Sequence, residues 1–244
     1  MGAPTRFPNG MTNVGKTDPF GRLGVPSPIK WQMYFNDFHA YSADDWLETV
    51  VDTDVDGNDT RTIDATAGGV LNIANNDNSS DSTNLRLGGD NSAEQFLLPT
   101  GKQAYLAAKF SSTDVDKNYL AVALVEGTDV DLQGGLPNDH VAIQVDGTDA
   151  NIDISISKDG TATTESAVGT VSDYTEGTND LTEVVLYYNG SDEVQVFVDG
   201  SKAATMATDN WPDDEELALE MEIHNTDAAA DSMAVDWVMV AVER

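Results

Sequence analysis

The chain has 244 residues and carries 43 acidic against 12 basic side chains, for a net charge of −31. That balance excludes nucleic-acid binding by the body of the chain, because contact with phosphates needs Lys and Arg. The absence of cysteine excludes disulfides, thiolate metal sites and a thiol nucleophile, and no apolar run approaches the roughly 18–20 residues of a membrane span.

The first segment differs from the rest. Residues 1–30 hold Arg6, Lys16, Arg22 and Lys30 against one acid, Asp18, and contain five of the eight prolines and five of the twenty glycines. Such a stretch has no apolar pattern to bury, so it reads as an extended basic arm over 1–30 that binds something the acidic body does not. It shows no apolar core after its first basic residue, which predicts a chain made and folded in the cytoplasm.

After Pro28 the texture changes to strict alternation. In "IKWQMYFNDF" Trp31, Met33 and Phe35 share one face while Lys30, Gln32 and Tyr34 share the other, the mark of a half-buried strand. The pattern returns in "WLETVVDTDV", "GGVLNIAN", "QAYLAAKFSST", "NYLAVALVEG", "HVAIQVDG", "ANIDISISKDG", "TATTESAVGTV", "LTEVVLYYNG", "EVQVFVDG", "LALEMEIHN" and "MAVDWVMVAVE". Asp-Gly, Asn-Gly and Gly-Gly pairs punctuate these runs, as turn residues that tolerate positive φ. The polar stretches at 75–84 and 128–139 read as loops. About a dozen strands without a helical period predict an all-β fold, two packed antiparallel sheets forming one body over residues 31–244.

Few motifs carry chemistry. "DTDVDGND" places Asp52, Asp54, Asp56 and Asp59 like the first half of a calcium loop, but the bidentate Glu expected at 63 is Ile63. A hairpin turn at Asp56-Gly57 accounts for the same residues, with adventitious calcium or magnesium as the alternative. In "LEMEIH" Glu220, Glu222 and His224 project from one face of a strand, as expected for a solvated outer face in an acid-rich chain. His39, His140 and His224 are scattered without a His-x-x-x-His pair, so no metal site and no cofactor are expected. Gly-x-Ser-x-Gly and phosphate-binding glycine loops are absent. Trp31 and Trp237, in alternating strands, read as core; Trp211, in "DNWPDD", reads as a loop residue able to stack on a sugar.

Two resemblances follow from particular segments. "LTEVVLYYNGSDEVQVFVDGSKAATMATDNWPDDEELALEMEIHN" followed by "MAVDWVMVAVER" resembles the back half of a concanavalin A-like, laminin-G-type jelly roll. The "GAPTRFPNGMTNV" start, "YFNDFHAYSADDW", "DEVQVFVDG", "PDDEEL" and the terminal "DWVMVAVER" together resemble head decoration proteins of short-tailed, notably marine, bacteriophages. The second resemblance implies a jelly roll fixed to the outside of a virion. It would be a non-enzymatic cement protein bound to the major capsid protein, with a trimer as the simplest arrangement on the shell and no nucleic-acid or membrane partner. The arm then becomes the anchor. Arg6, Lys16, Arg22 and Lys30 are expected to pair with acidic groups of the shell, while Phe7, Pro8, Phe20 and Pro26 fill apolar grooves. Jelly rolls also serve as carbohydrate-binding modules and glycosidases. Laminarinase-type hydrolases carry alternating carboxylates much like Glu220 and Glu222, although "EMEIH" departs from their Glu-x-Asp-x-Glu pattern at its centre and end.

Overall fold

Alternation of apolar and polar side chains resolves into sixteen strands among the described residues. The computed structural model describes residues 30–51, 59–64, 69–88, 95–127, 131–178 and 180–244. In chain order the strands are β1 (Trp31–Asn36), β2 (Trp46–Val51), β3 (Thr60–Asp64), β4 (Val70–Ala74), β5 (Ser82–Leu87), β6 (Phe96–Leu97), β7 (Ala104–Ser112) and β8 (Asn118–Val125). There follow β9 (His140–Asp146), β10 (Asn151–Lys158), β11 (Thr161–Thr170), β12 (Thr182–Tyr188), β13 (Val194–Val198), β14 (Ser201–Met206), β15 (Glu216–Asn225) and β16 (Ser232–Glu243). The calcium-like motif falls largely outside the described residues, as do all the arm residues singled out except Lys30.

Two antiparallel sheets face each other. The first runs β14-β13-β12-β7-β16-β4-β3, with β1 also paired to β16. The second runs β11-β10-β9-β8-β15-β5-β2, with β6 also paired to β15. Val122, Leu124, Leu219, Met221 and Ile223 of the second sheet meet Leu106, Phe110, Val184, Val238 and Val240 of the first in one buried core. The expected Asp-Gly hairpins form at Asp159-Gly160 and Asp199-Gly200. All four residues have positive φ, the geometry that lets a two-residue turn follow strand twist.

Several expectations change in detail. The 75–84 stretch is only partly a loop, because β5 begins at Ser82 and every one of its residues is buried. Its outward residues are polar, so the strand lacks the usual apolar signature. Alternation in β1 is real, but its apolar face points away from the core. Tyr34 packs inward against the core, whereas Met33 and Phe35 are exposed. Trp31 is buried on the outer face of the first sheet, beside Tyr105 and Tyr187. Trp237 is half-buried there, with its ring 6.3 Å from that of Phe35. Trp211 is no sugar platform. It is buried, its ring lies 4.3 Å from Tyr188 in a stacked arrangement, and its Nε1 donates to the Leu98 carbonyl at 2.9 Å. A large aromatic in a loop thus closes the end of the core.

Truncating Trp211 to Ala should cost about 3–5 kcal/mol, the usual range for emptying a large aromatic site. Equilibrium denaturation measures it, and a loss below about 1 kcal/mol would mean that the indole is not a core element.

Candidate functional site

Strand β15 divides its side chains between two environments. Leu217, Leu219, Met221 and Ile223 enter the core, while Ala218, Glu220, Glu222 and His224 alternate onto the outer face of the second sheet. On one side the register sets Glu220 against Arg86, Glu222 against Asn84 and His224 against Ser82 of β5. On the other it sets Glu220 against Ala123, Glu222 against Ala121 and His224 against Tyr119 of β8.

This face is not solvated. Glu220 and Glu222 are both fully buried, as is Arg86 beneath them. The side chains of Ala121 and Ala123 are small, and residues 131–139 of the connection from β8 to β9 bring Leu132 over them. Leu132 sits on Tyr119, Ala121, Ala123, Val125 and Ala142, with Leu136 alongside. The Tyr119 hydroxyl donates to the Leu132 carbonyl at 3.2 Å. His140 ties the far end of the connection, with Nδ1 2.7 Å from the Pro137 carbonyl and Nε2 2.8 Å from the Ser155 hydroxyl.

The two carboxylates hold this arrangement together. Arg86 donates to Glu220 in a buried ion pair, and the Asn84 amide bridges Glu220 at 3.1 Å and Glu222 at 3.2 Å. Glu222 also accepts the backbone N–H of Leu132 at 2.8 Å and of Gln133 at 3.1 Å. Burial pushes the Glu222 carboxyl up to about 7 against these donors, which pull it down, and the nearby Asp131 adds to the rise. The solvated acidic face expected from "LEMEIH" is therefore corrected. The side chains do share a face, but the covering connection removes it from water and turns the acids into internal acceptors.

Asp131, Glu222 and His224 form a further group: one possible ligand atom from each lies within 4.8 Å of the others. The scattered histidines gave no hint of it, because two ligands alternate on one strand and the third comes from a distant loop. A Glu-x-His pair in a strand, together with a long acid-bearing connection, was the only signal. A separate recess of about 360 Å³ is lined by Tyr34, Asp44, Asp45, Leu87, Gly88 and Gln95. Of the proposed arm residues, Lys30 is exposed, and its carbonyl accepts the backbone N–H of Arg244 at 2.7 Å, which ties the start of β1 to the residue after β16.

No protein-family model and no curated protein matches the sequence. Solved structures do match it. A Shewanella oneidensis protein of unknown function is 14% identical, covering 95% of this chain and 97% of its own, with a TM-score of 0.56. The potassium-bound carbohydrate recognition domain of Emp46p is 13% identical over 84% of this chain and 94% of its own, with a TM-score of 0.51. A prokaryotic β-1,3-1,4-glucanase (lichenase) from a mouse hindgut metagenome is 12% identical over 85% and 98%, also with a TM-score of 0.51. The fold is a concanavalin A-like jelly roll. At these identities the likeness reaches the architecture and no further.

Replacing Arg86 with Met should cost about 3–5 kcal/mol, because it strands a buried carboxylate. Replacing Arg86 with Met and Glu220 with Leu together should restore much of that loss, since a buried pair of this kind can be exchanged for apolar packing. Chemical denaturation of both variants would show it; equal losses would mean that the pair is not coupled.

Burial lowers the His140 pKa below its ordinary 6.5, with the Pro137 carbonyl and Asp139 pulling the other way. The unfolded chain therefore takes up the proton more readily than the folded one. Stability tied to the neutral ring is present above about pH 6.5 and is lost as pH falls through the lowered folded value. The stability of wild type relative to His140→Gln should accordingly decline below about pH 6.5, with the carboxylates common to both cancelling. A flat difference between about pH 8 and pH 5 would remove His140 as a titrating anchor.

Proposed function

We propose that this chain is a capsid decoration protein: a non-enzymatic jelly roll on the outer surface of a bacteriophage virion, anchored to the major capsid protein by residues 1–30. The observation that carries this reading is the exposed face of β1, the strand that follows residues 1–30 in the sequence. Strand β1 follows the arm directly and presents exposed Met33 and Phe35, with Phe35 against the half-buried Trp237. Exposed apolar side chains grouped on one face are typical of a surface that another protein covers. A basic segment followed in the chain by an apolar strip would give attachment both steering charge and buried area.

The outer face of the second sheet supports the same reading by what it lacks. A retaining or inverting glycosidase must bring both carboxylates to a glycosidic bond, and Glu220 and Glu222 are occupied and fully buried. The recess lined by Tyr34, Asp44, Asp45 and Gln95 favours carbohydrate binding as the second reading, since an aromatic ring beside carboxylates and an amide suits a sugar.

On the shell, a trimer seated at a symmetric site would engage three arms, each raising the effective concentration of the next. Sedimentation with bare capsids tests the assignment. The full chain should cosediment to saturation, and removal of residues 1–28 should abolish binding. Met33→Ser with Phe35→Ser should weaken it by about tenfold or more, roughly 1.4 kcal/mol. Arg6→Ala with Arg22→Ala should weaken it more at low salt than at high. Unchanged binding by the armless chain would overturn the anchor. Saturable glycan binding lost in Asp45→Asn, with no capsid binding by the full chain, would select the carbohydrate reading.

A further inference from the structure

We propose that Asp131, Glu222 and His224 bind one divalent transition-metal ion, which staples the β8–β9 connection to the outer face of the second sheet. The three possible ligand atoms lie within 4.8 Å of one another. Tetrahedral donors at roughly 2.0–2.2 Å from one ion stand about 3.3–3.6 Å apart, so side-chain adjustment of up to about 1.5 Å closes the site. Glu222 and His224 come from alternate positions on β15, which is flanked by β5 and β8 and therefore offers a rigid platform. Asp131 comes from the connection and is exposed, which leaves an entry path.

Two independent features favour a cation there. The Nδ1 atom of His224 is buried and has no hydrogen-bond partner, and an imidazole nitrogen withdrawn from water without a partner is costly unless something else coordinates it. Asp131 and Glu222 are also like charges side by side. Two carboxylates and an imidazole converging within reach of one point form a donor set that a bound cation would neutralise. Next to Asp131, Gly134 donates its N–H to Oδ1 at 2.8 Å. A β-carbon at Gly134 would come within 2.6 Å of Asp131 Oδ2, so a glycine there leaves the carboxylate its room.

The donor set selects the ion. One imidazole nitrogen and two carboxylate oxygens suit Zn²⁺, Mn²⁺ or Co²⁺ better than Ca²⁺ or Mg²⁺, which prefer all-oxygen shells. Three protein ligands leave at least one position for water. Glu222 can ligate and still accept the Leu132 and Gln133 N–H groups, because each carboxylate oxygen has two lone pairs. The ion would therefore hold the connection through Asp131 while the backbone donors hold it through Glu222.

The test uses the full chain, stripped with chelator and titrated calorimetrically with Zn²⁺ and with Co²⁺ in excess Mg²⁺ to mask weak carboxylate sites. One ion per chain should bind, and binding should slow hydrogen exchange at the Leu132 and Gln133 amides. The visible spectrum of bound Co²⁺ should change in His224→Gln. Asp131→Asn, at an exposed position that should not disturb folding, and His224→Gln should each weaken binding at least tenfold. No saturable binding to the wild-type chain, or equal affinity in wild type and both variants, would overturn the site.

Discussion

The outer face of the second sheet depends on how Glu220 and Glu222 are neutralised. A carboxylate withdrawn from water must be supplied with donors, and each of the two is given different ones. Glu220 has Arg86 and the Asn84 amide; Glu222 has the same amide and two backbone N–H groups. The first set lies within the sheet, but the backbone donors belong to the connection between β8 and β9. Folding that connection down is therefore part of making the buried acid tolerable. The Leu132 side chain and the small residues beneath it add apolar contact to the same closure.

This closure leaves Glu220 and Glu222 buried, each held by donors from the chain itself. The opposite side of the sandwich has a different character. There the outer face of the first sheet carries Trp31, Tyr105, Tyr187 and Phe197 as a cluster, bordered by exposed Met33 and Phe35.

Much of the fold was legible because alternation reports burial directly. Strands with one apolar and one polar face, such as β13 with Val194 and Val196 inward, were plain in the sequence. The misses share a physical cause. In β5 the outward residues Asn84 and Arg86 are buried against acids, so a strand without exposed surface still looked hydrophilic. In β1 the apolar residues mark an outer face, and alternation alone cannot say which side of a strand meets the core. Trp211 was read by its polar neighbours, while its own ring area decided its place. The Asp131, Glu222 and His224 group left only a faint signal, because Asp131 lies some ninety residues from the Glu-x-His pair and meets it only when the connection folds over β15.

The positions of β15 and β16 have a consequence for how the molecule comes into being. Both lie in the middle of their sheets: β16 joins β7 to β4 and β1, and β15 joins β8 to β5 and β6. Until these two strands have left the ribosome, each sheet is in separate pieces, and β1 to β5 have waited through most of synthesis without their central partners. Assembly must be dominated by contacts between distant parts of the chain, the regime of slow folding in which unpaired strand edges invite aggregation. The net charge of −31 gives the waiting chains mutual repulsion at the stage when they most need it. The acid excess would then protect the nascent chain, whatever it does for the folded protein.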